Sequence, residues 1–305
     1  MDTLKQLFTV LFLSAFCMIS FNACTIKPKG KTSFKLEPYK RATYDKHTQL
    51  TMKQATLGAI NERIGLIIAP DNYKNAKFHN SGYVHESFEI ILSSMDDKFD
   101  YVYSTSSTNA DLAINKKTIE RCISSCNKNT LLVVFLAGQI IKTKGKYYLL
   151  NYDSDPEDIP KTSLDIKEIL KTLSDSGCGR ILVFADMYPK DKNPGGLIKY
   201  VTKLPSFNKK YDLSREMRLL VTNFSAKGKP YRFYVGFQGA DIFSWYLALG
   251  LRGQADKIIS GGNNDGKTSI IELTQYMREE MANSLVYKQK PSSSGEFLPN
   301  TIVVK

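Results

Sequence analysis

The sequence predicts an α/β protein built on a mostly parallel sheet with helices on both faces. Residues 63–69, 130–138 and 180–186 are short, nearly continuous apolar runs, the pattern of strands buried on both faces. Between them lie segments whose apolar residues recur at helical spacing. Strands that alternate with helices need crossover connections, and crossovers make parallel sheets.

The elements follow in order. Arg63-Ile64-Gly65-Leu66-Ile67-Ile68-Ala69 reads as a strand closed by Pro70. Gly82 to Ser94 carries Val84, Phe88, Ile91 and Leu92 on a helical stripe. Phe99 to Tyr103 reads as a strand and Asn115 to Ser125 as a helix. Thr130 to Gly138 is the clearest buried strand, and Lys146 to Tyr152 is a short one, antiparallel or at a rim. Thr162-Ser163-Leu164-Asp165 has the form of a capping box opening a helix with Ile166, Ile169, Leu170 and Leu173 on one face. Gly177 and Gly179 end that helix, and Arg180 to Asp186 is the next buried strand. Met217 to Phe224 is another strand, and Ala240 to Leu251 is an apolar helix holding the sole tryptophan, Trp245. Ser269-Ile270-Ile271-Glu272 is a second capping box, starting a helix through Met277 and Met281. Thr301 to Val304 is a last strand or an ordered tail. Such sheets place their working loops at the carboxyl ends of the strands, here after Ala69, Gly138, Asp186 and Phe224.

Composition narrows the class. The chain has 305 residues, 42% hydrophobic and 24% charged, which fits a globular protein and excludes a wholly disordered chain or a multi-span membrane protein. Five cysteines in that length exclude a disulfide-stapled mini-scaffold. The net charge of +12 suits either anionic surroundings or plain solubility.

The first residues read as an address. Lys5 precedes an apolar run from Leu7 to Ile19, too short for a comfortable membrane span. Ala23-Cys24 resembles a bacterial lipobox, although Phe21 and Asn22 depart from the usual pattern. This implies a signal peptide over 1–23, lipid attachment at Cys24, a basic tether over 24–58 and a folded domain over 59–305. Ordinary secretion and an uncleaved anchor are the alternatives. The expected location is the bacterial cell envelope, lipid-anchored to an inner or outer membrane.

Several segments together resemble the caspase-like (clan CD, C14-type) cysteine peptidases, over roughly 62–290. Leu131 to Gly138 resembles the family strand that leads into Gly-His-Gly. Gly145-Lys146-Tyr147-Tyr148-Leu149-Leu150-Asn151-Tyr152-Asp153 is similar to the Gly-x-x-Tyr-Leu-Leu-Pro-x-Asp that follows it. Arg180 to Asp186 resembles the strand that ends in Asp-x-Cys. Gly239 to Ser244, Leu249 to Asp256, and Asn264-Asp265-Gly266-Lys267 with Ile271-Glu272-Leu273 resemble later family segments. The resemblance implies a caspase-like three-layer sandwich and a peptide groove at the carboxyl edge of its sheet. Gly138, Asp186, Ser225 and His79 are the candidate groove-lining residues.

The departures fall on the catalytic pair. Gln139 stands where the family has its histidine, and Tyr188 stands where it has its cysteine. Peptide hydrolysis of that type needs a thiolate and an imidazole. An amide cannot take up the proton, and a phenol with an ordinary pKa near ~10 is a poor nucleophile. No other dyad suggests itself. Cys122, Cys126 and Cys178 are expected at the amino-terminal edge of the sheet, with their disulfide status open, and His79 alone is expected near the site mouth. Zinc spacing is lacking. Asp153, Asp155, Glu157 and Asp158 form an acidic loop that is a cation site, a contact for a basic partner or a solvated loop. Gly261 to Glu272 imitates a calcium loop only partly, with Gly261 where the first aspartate belongs. No cofactor is expected, and no nucleic-acid motif appears.

The leading expectation is a catalytically inactive caspase-like domain, membrane-tethered, that binds an envelope protein or peptide. The alternatives are an active hydrolase using unrecognised residues, with Asp186, Tyr188 and His79 nearest to hand, and a structural envelope lipoprotein. Related domains often pair along a sheet edge, so a homodimer remains open.

Overall fold

A computed structural model describes residues 60–80, 82–105, 107–189, 219–223, 232–235, 238–283, 292–294 and 301–305. The expected signal peptide, Cys24, the tether and Ser225 lie outside the described residues. Among the described residues, no helix is long and apolar enough to cross a membrane.

The sheet is centred on three strands, β1 (Glu62–Ile68), β3 (Thr130–Thr143) and β6 (Arg180–Pro189). With β2 (Tyr101–Ser104) beyond β1 and β7 (Leu219–Asn223) beyond β6, they run parallel. Two antiparallel pieces complete the rim. Strand β4 (Lys146–Leu149) folds back on the end of β3 and pairs with the short β5 (Leu164–Asp165). Strand β11 (Ser292–Ser294) caps the β7 edge. A triple-serine run gives no apolar pattern, so this strand was not legible in the sequence; its backbone pairing makes it one. Two small ladders lie apart from the main sheet. Strands β8 (Arg232–Val235) and β9 (Gln238–Asp241) form a hairpin, and β10 (Thr268–Ser269) pairs with β12 (Ile302–Val304).

Each face of the sheet buries an apolar stripe. On one side, Ile67, Val133, Phe135 and Phe184 pack under α1 (Val84–Asp96), α5 (Ile242–Leu251) and α6 (Ile270–Asn283). Helix α1 presents Val84, Phe88, Ile91 and Met95, which one helical stripe places over the sheet. Helix α5 is apolar nearly all round and correspondingly buried. On the other side, Ile64, Leu66, Leu132, Val134, Ile181 and Val183 pack under α2 (Leu112–Ser124) and α4 (Ile166–Ser174). Full burial of each large apolar side chain contributes roughly 1.5–3 kcal/mol. Buried Arg63 ties the C-terminus to this core, its guanidinium donating to the carbonyls of Val303 (3.1 Å) and Ile302 (3.3 Å).

The first capping box is corrected by the structure. Thr162 closes a short helix, α3 (Ile159–Thr162), and Asp165 is the residue that caps α4, accepting from the Lys167 N–H at 2.8 Å. The Thr162 hydroxyl instead donates to the Asp158 carbonyl at 2.8 Å, because β5 separates it from the helix. The second box is present as expected. The Glu272 carboxylate accepts from Ser269 N–H at 2.8 Å, and Ser269 Oγ accepts from Glu272 N–H at 3.3 Å. Cys126 and Cys178 form a disulfide between the loops entering β3 and β6, with Cα atoms 4.9 Å apart, and Cys122 is a buried free thiol. All three cysteines sit at the amino-terminal edge.

Candidate functional site

Strands β3 and β6 run past the points where the apolar pattern ends, so Gln139 and Tyr188 are strand residues and not loop residues. The parallel register sets Ala137 opposite Asp186, Gly138 opposite Met187 and Gln139 opposite Tyr188. Alternation along a strand puts Asp186, Tyr188 and Gln139 on the same face of the sheet. That face lies under the start of α1 and the start of α5.

Gln139 is 5% exposed. Its backbone N–H donates to the Tyr73 hydroxyl at 3.2 Å, and that hydroxyl donates to the Pro70 carbonyl at 3.0 Å. Tyr188 lies close enough to Tyr73 to act on its titration. Burial raises the Tyr73 pKa, with the Gln139 amide and Tyr188 pulling it down. The half-buried Tyr188 ring lies against Tyr83, with centroids 5.6 Å apart. A phenol thus occupies the position where the resemblance expects a thiol, and aromatic neighbours hold it.

Beneath Tyr188 lies a buried acidic pair. Asp186 is fully buried, and its Oδ2 accepts from Ser244 Oγ at 2.7 Å. Asp241 is also fully buried and caps α5, its Oδ1 accepting from Phe243 N–H at 2.7 Å while its own N–H donates to Ser87 Oγ at 3.2 Å. Burial pushes Asp186 up to about 7, against the pull of the Ser244 hydroxyl. Asp241 is raised well above the carboxylate range, first by burial and then by the charge of Asp186. The two carboxyls titrate as a pair and are not both ionised at neutral pH. Burial, and then the charges of Asp186 and Asp241, also raise Tyr83. Among the described residues, nothing donates to the far oxygens Asp186 Oδ1 and Asp241 Oδ2 or to Gln139 Oε1.

The sequence-based candidates divide. Asp186 lies with Gln139 and Tyr188. Gly138 lies between them along β3 but lines nothing with a side chain. Its φ is +131°, and an added Cβ would sit 2.8 Å from the Pro70 carbonyl oxygen, so glycine is required for backbone approach. His79 is exposed on the β1–α1 loop, and His85 is exposed with Nδ1 2.8 Å from Ser107 Oγ. Neither takes part in the hydrogen bonds around Gln139, Asp186 and Tyr188. Burial pushes the Cys122 thiol up to about 12, which leaves it un-ionised and inert. Asp241, Ser244, Ser87, Tyr83 and Tyr73 were missed from sequence. The available signal was Asp241 itself, an acid between a strand and an all-apolar helix, where an N-cap is expected.

The other acidic patterns are used internally. Asp256 accepts from the N–H groups of Asp265 (3.0 Å) and Gly266 (2.9 Å), and Glu272 accepts from Asn263 N–H at 3.1 Å. In the acidic loop, Asp153 accepts from Leu112 N–H at 2.9 Å and Glu157 pairs with Lys77 at 2.7 Å. Among the described residues, no group of His, Cys, Asp and Glu is arranged to hold a metal ion.

No family model matches this chain, and no curated protein matches it. Solved structures do. The Drosophila initiator caspase Dronc superposes with a TM-score of 0.51 at 13% identity, covering 81% of this chain and 84% of that one. The domain has a caspase-like fold. Caspase-1 from Spodoptera frugiperda gives a TM-score of 0.50 at 12% identity, covering 81% of this chain and 91% of that one. The bacterial protein GSU0716 from Geobacter sulfurreducens gives 0.51 at 13% identity, covering 79% and 99%. The caspase-like likeness fixes the arrangement of the sheet and not the chemistry, which rests on the residues at the ends of β3 and β6.

Proposed function

We propose that this caspase-like domain is a pseudopeptidase, a membrane-tethered module that binds a protein or extended peptide in the bacterial cell envelope. One observation carries the reading. Gln139 and Tyr188 face each other in register at the carboxyl edge, and neither can supply a thiolate or an imidazole. Among the described residues, His79 and His85 take no part in the hydrogen bonds around them, and the cysteines are engaged elsewhere: Cys126 and Cys178 are bonded to each other at the opposite edge, and Cys122 is buried. The caspase-like arrangement of the sheet supports binding without turnover as the role of this edge. Tyr188 is half-buried, which leaves part of its ring available to a bound chain.

The test is in-cell crosslinking and mass spectrometry, comparing wild type with Tyr188→Arg after circular dichroism confirms the fold. Gly138 is unsuitable for blocking the site, because any side chain there meets Pro70. An intact partner captured by wild type and lost from Tyr188→Arg supports the reading. A partner held equally by both moves the function to another surface and favours a structural envelope role. Fragments of a partner appearing only with wild type would revive an active hydrolase.

A further inference from the structure

Between α5 and β10 the chain makes two short 3-10 turns, Gln254–Asp256 and Ile258–Ser260. The second presents Ile258 at 73% and Ile259 at 93% exposure, the two most exposed large hydrophobics among the described residues. A single exposed isoleucine is ordinary on a soluble surface. Two in succession at the tip of a fixed turn are not.

The turn is built to hold them out. Ser260 and Gly262 N–H groups both donate to the Lys257 carbonyl, at 2.8 and 3.0 Å, and Gly261 N–H donates to the Ile258 carbonyl at 3.0 Å. Gly261 closes the turn at φ +82°. From below, the Asp256 carbonyl accepts from Asn264 N–H at 2.7 Å, adding to the two bonds that its carboxylate receives. The backbone of the turn is thus fixed with both isoleucine side chains exposed. Arg252, Lys257 and Lys267 are exposed on the same connection, and the exposed Asp265 turns one carboxylate oxygen to the Lys267 N–H at 2.9 Å.

We propose that the Ile258–Ile259 turn inserts into the headgroup region of an anionic lipid bilayer. An apolar tip with basic flanks matches the layering of such a surface, apolar below and negative above. A protein partner fits less well. A stable protein interface buries about 800 Å² on each side with matched shape, whereas two isoleucines offer a point contact, for which a bilayer needs no matching contour. The contact is weak alone and acts as a second attachment beside another membrane anchor. It is independent of whether the carboxyl edge binds a peptide.

The test uses the full chain with Cys17→Ser and Cys24→Ser, so that one introduced thiol is the accessible one, and with a C-terminal polyhistidine tag that holds it on the vesicles through a nickel-chelating lipid in place of the lost lipid attachment. An environment-sensitive fluorophore is placed on Ile259→Cys, and on Lys117→Cys of α2 as a control. With vesicles containing phosphatidylglycerol, the probe at 259 should shift to shorter wavelength and be quenched at least twofold by bilayer-embedded quenchers, while the control stays water-like. A water-like probe at 259 on vesicle-bound chain overturns the proposal. So does an equal shift on purely phosphatidylcholine vesicles, which removes the anionic requirement. A shift with rising protein concentration and no lipid assigns the turn to self-association, and a shift that needs an envelope protein extract assigns it to a protein partner; either outcome overturns it.

Discussion

At the amino ends of β3 and β6, the Cys126–Cys178 bridge ties the two incoming loops together. At the carboxyl ends, those strands and the start of α5 bury three acceptor oxygens that receive no hydrogen bond from the described residues. One end of the sheet is covalently fixed over an apolar core, and the other carries polar groups that folding alone would not choose. Each such buried group costs on the order of 1–3 kcal/mol. The difference indicates where the fold is maintained for its own sake and where it is maintained for something else.

The comparison is broken most severely at the stabilised end. The bridge closes a loop with a sequence separation of 52, and removing it in Cys126→Ala with Cys178→Ala should lower stability by about 4 kcal/mol. Urea unfolding with and without reductant measures this. A loss well under 1 kcal/mol would mean that the bridge does not offset the polar end.

The pH dependence probes the other end. The folded-state pKa of Asp186 is raised above its ordinary value, so the folded chain holds more protons than the unfolded one between about 4 and 7. Stability should therefore fall as pH rises through that window, by up to about 1.4 kcal/mol per pH unit for one proton. Asp186→Asn should flatten the fall and raise the melting temperature at pH 8 relative to wild type. An unchanged slope would mean that Asp186 does not govern stability across that window.

The two ends also differ in how legible they were. The apolar runs of β1, β3 and β6 announced the sheet, because burial on both faces leaves an unbroken hydrophobic signature. The same signature hid the site. Gln139 and Tyr188 look like the first residues after a strand, yet β4 extends β3 by pairing from Ile140 to Thr143, and β6 follows in register. Asp241 was invisible as a partner of Asp186 because the residues meet only where α5 packs on the sheet and its Ser244 bonds Asp186. Strand β11, made of serines, depends on backbone pairing and carries no side-chain pattern. Asp165 was read as the far end of a capping box when it is the cap itself, a shift that the two-residue β5 imposes.

Gly138 tests whether the carboxyl edge depends on close backbone approach. Gly138→Ala forces a Cβ toward the Pro70 carbonyl at a φ that L-residues rarely adopt, and should cost roughly 1–3 kcal/mol. Chemical denaturation would detect this, and a neutral substitution would show that the Pro70 loop moves freely.

The smallest effect is the most discriminating. Gln139→Leu removes a buried acceptor that has no donor and replaces it with an apolar group of similar size, so it should leave stability unchanged or raise it by about 1 kcal/mol. The Gln139 backbone N–H keeps its bond to Tyr73 in that variant, so Tyr188 should stay in place. If the amide serves a bound chain, Gln139→Leu gains stability while losing capture of the partner in the crosslinking assay. If it serves only the fold, both readouts fall together. A variant more stable than wild type but unable to bind would locate the cost of the carboxyl edge in its function, since only a group kept for a ligand can be removed with that pair of outcomes.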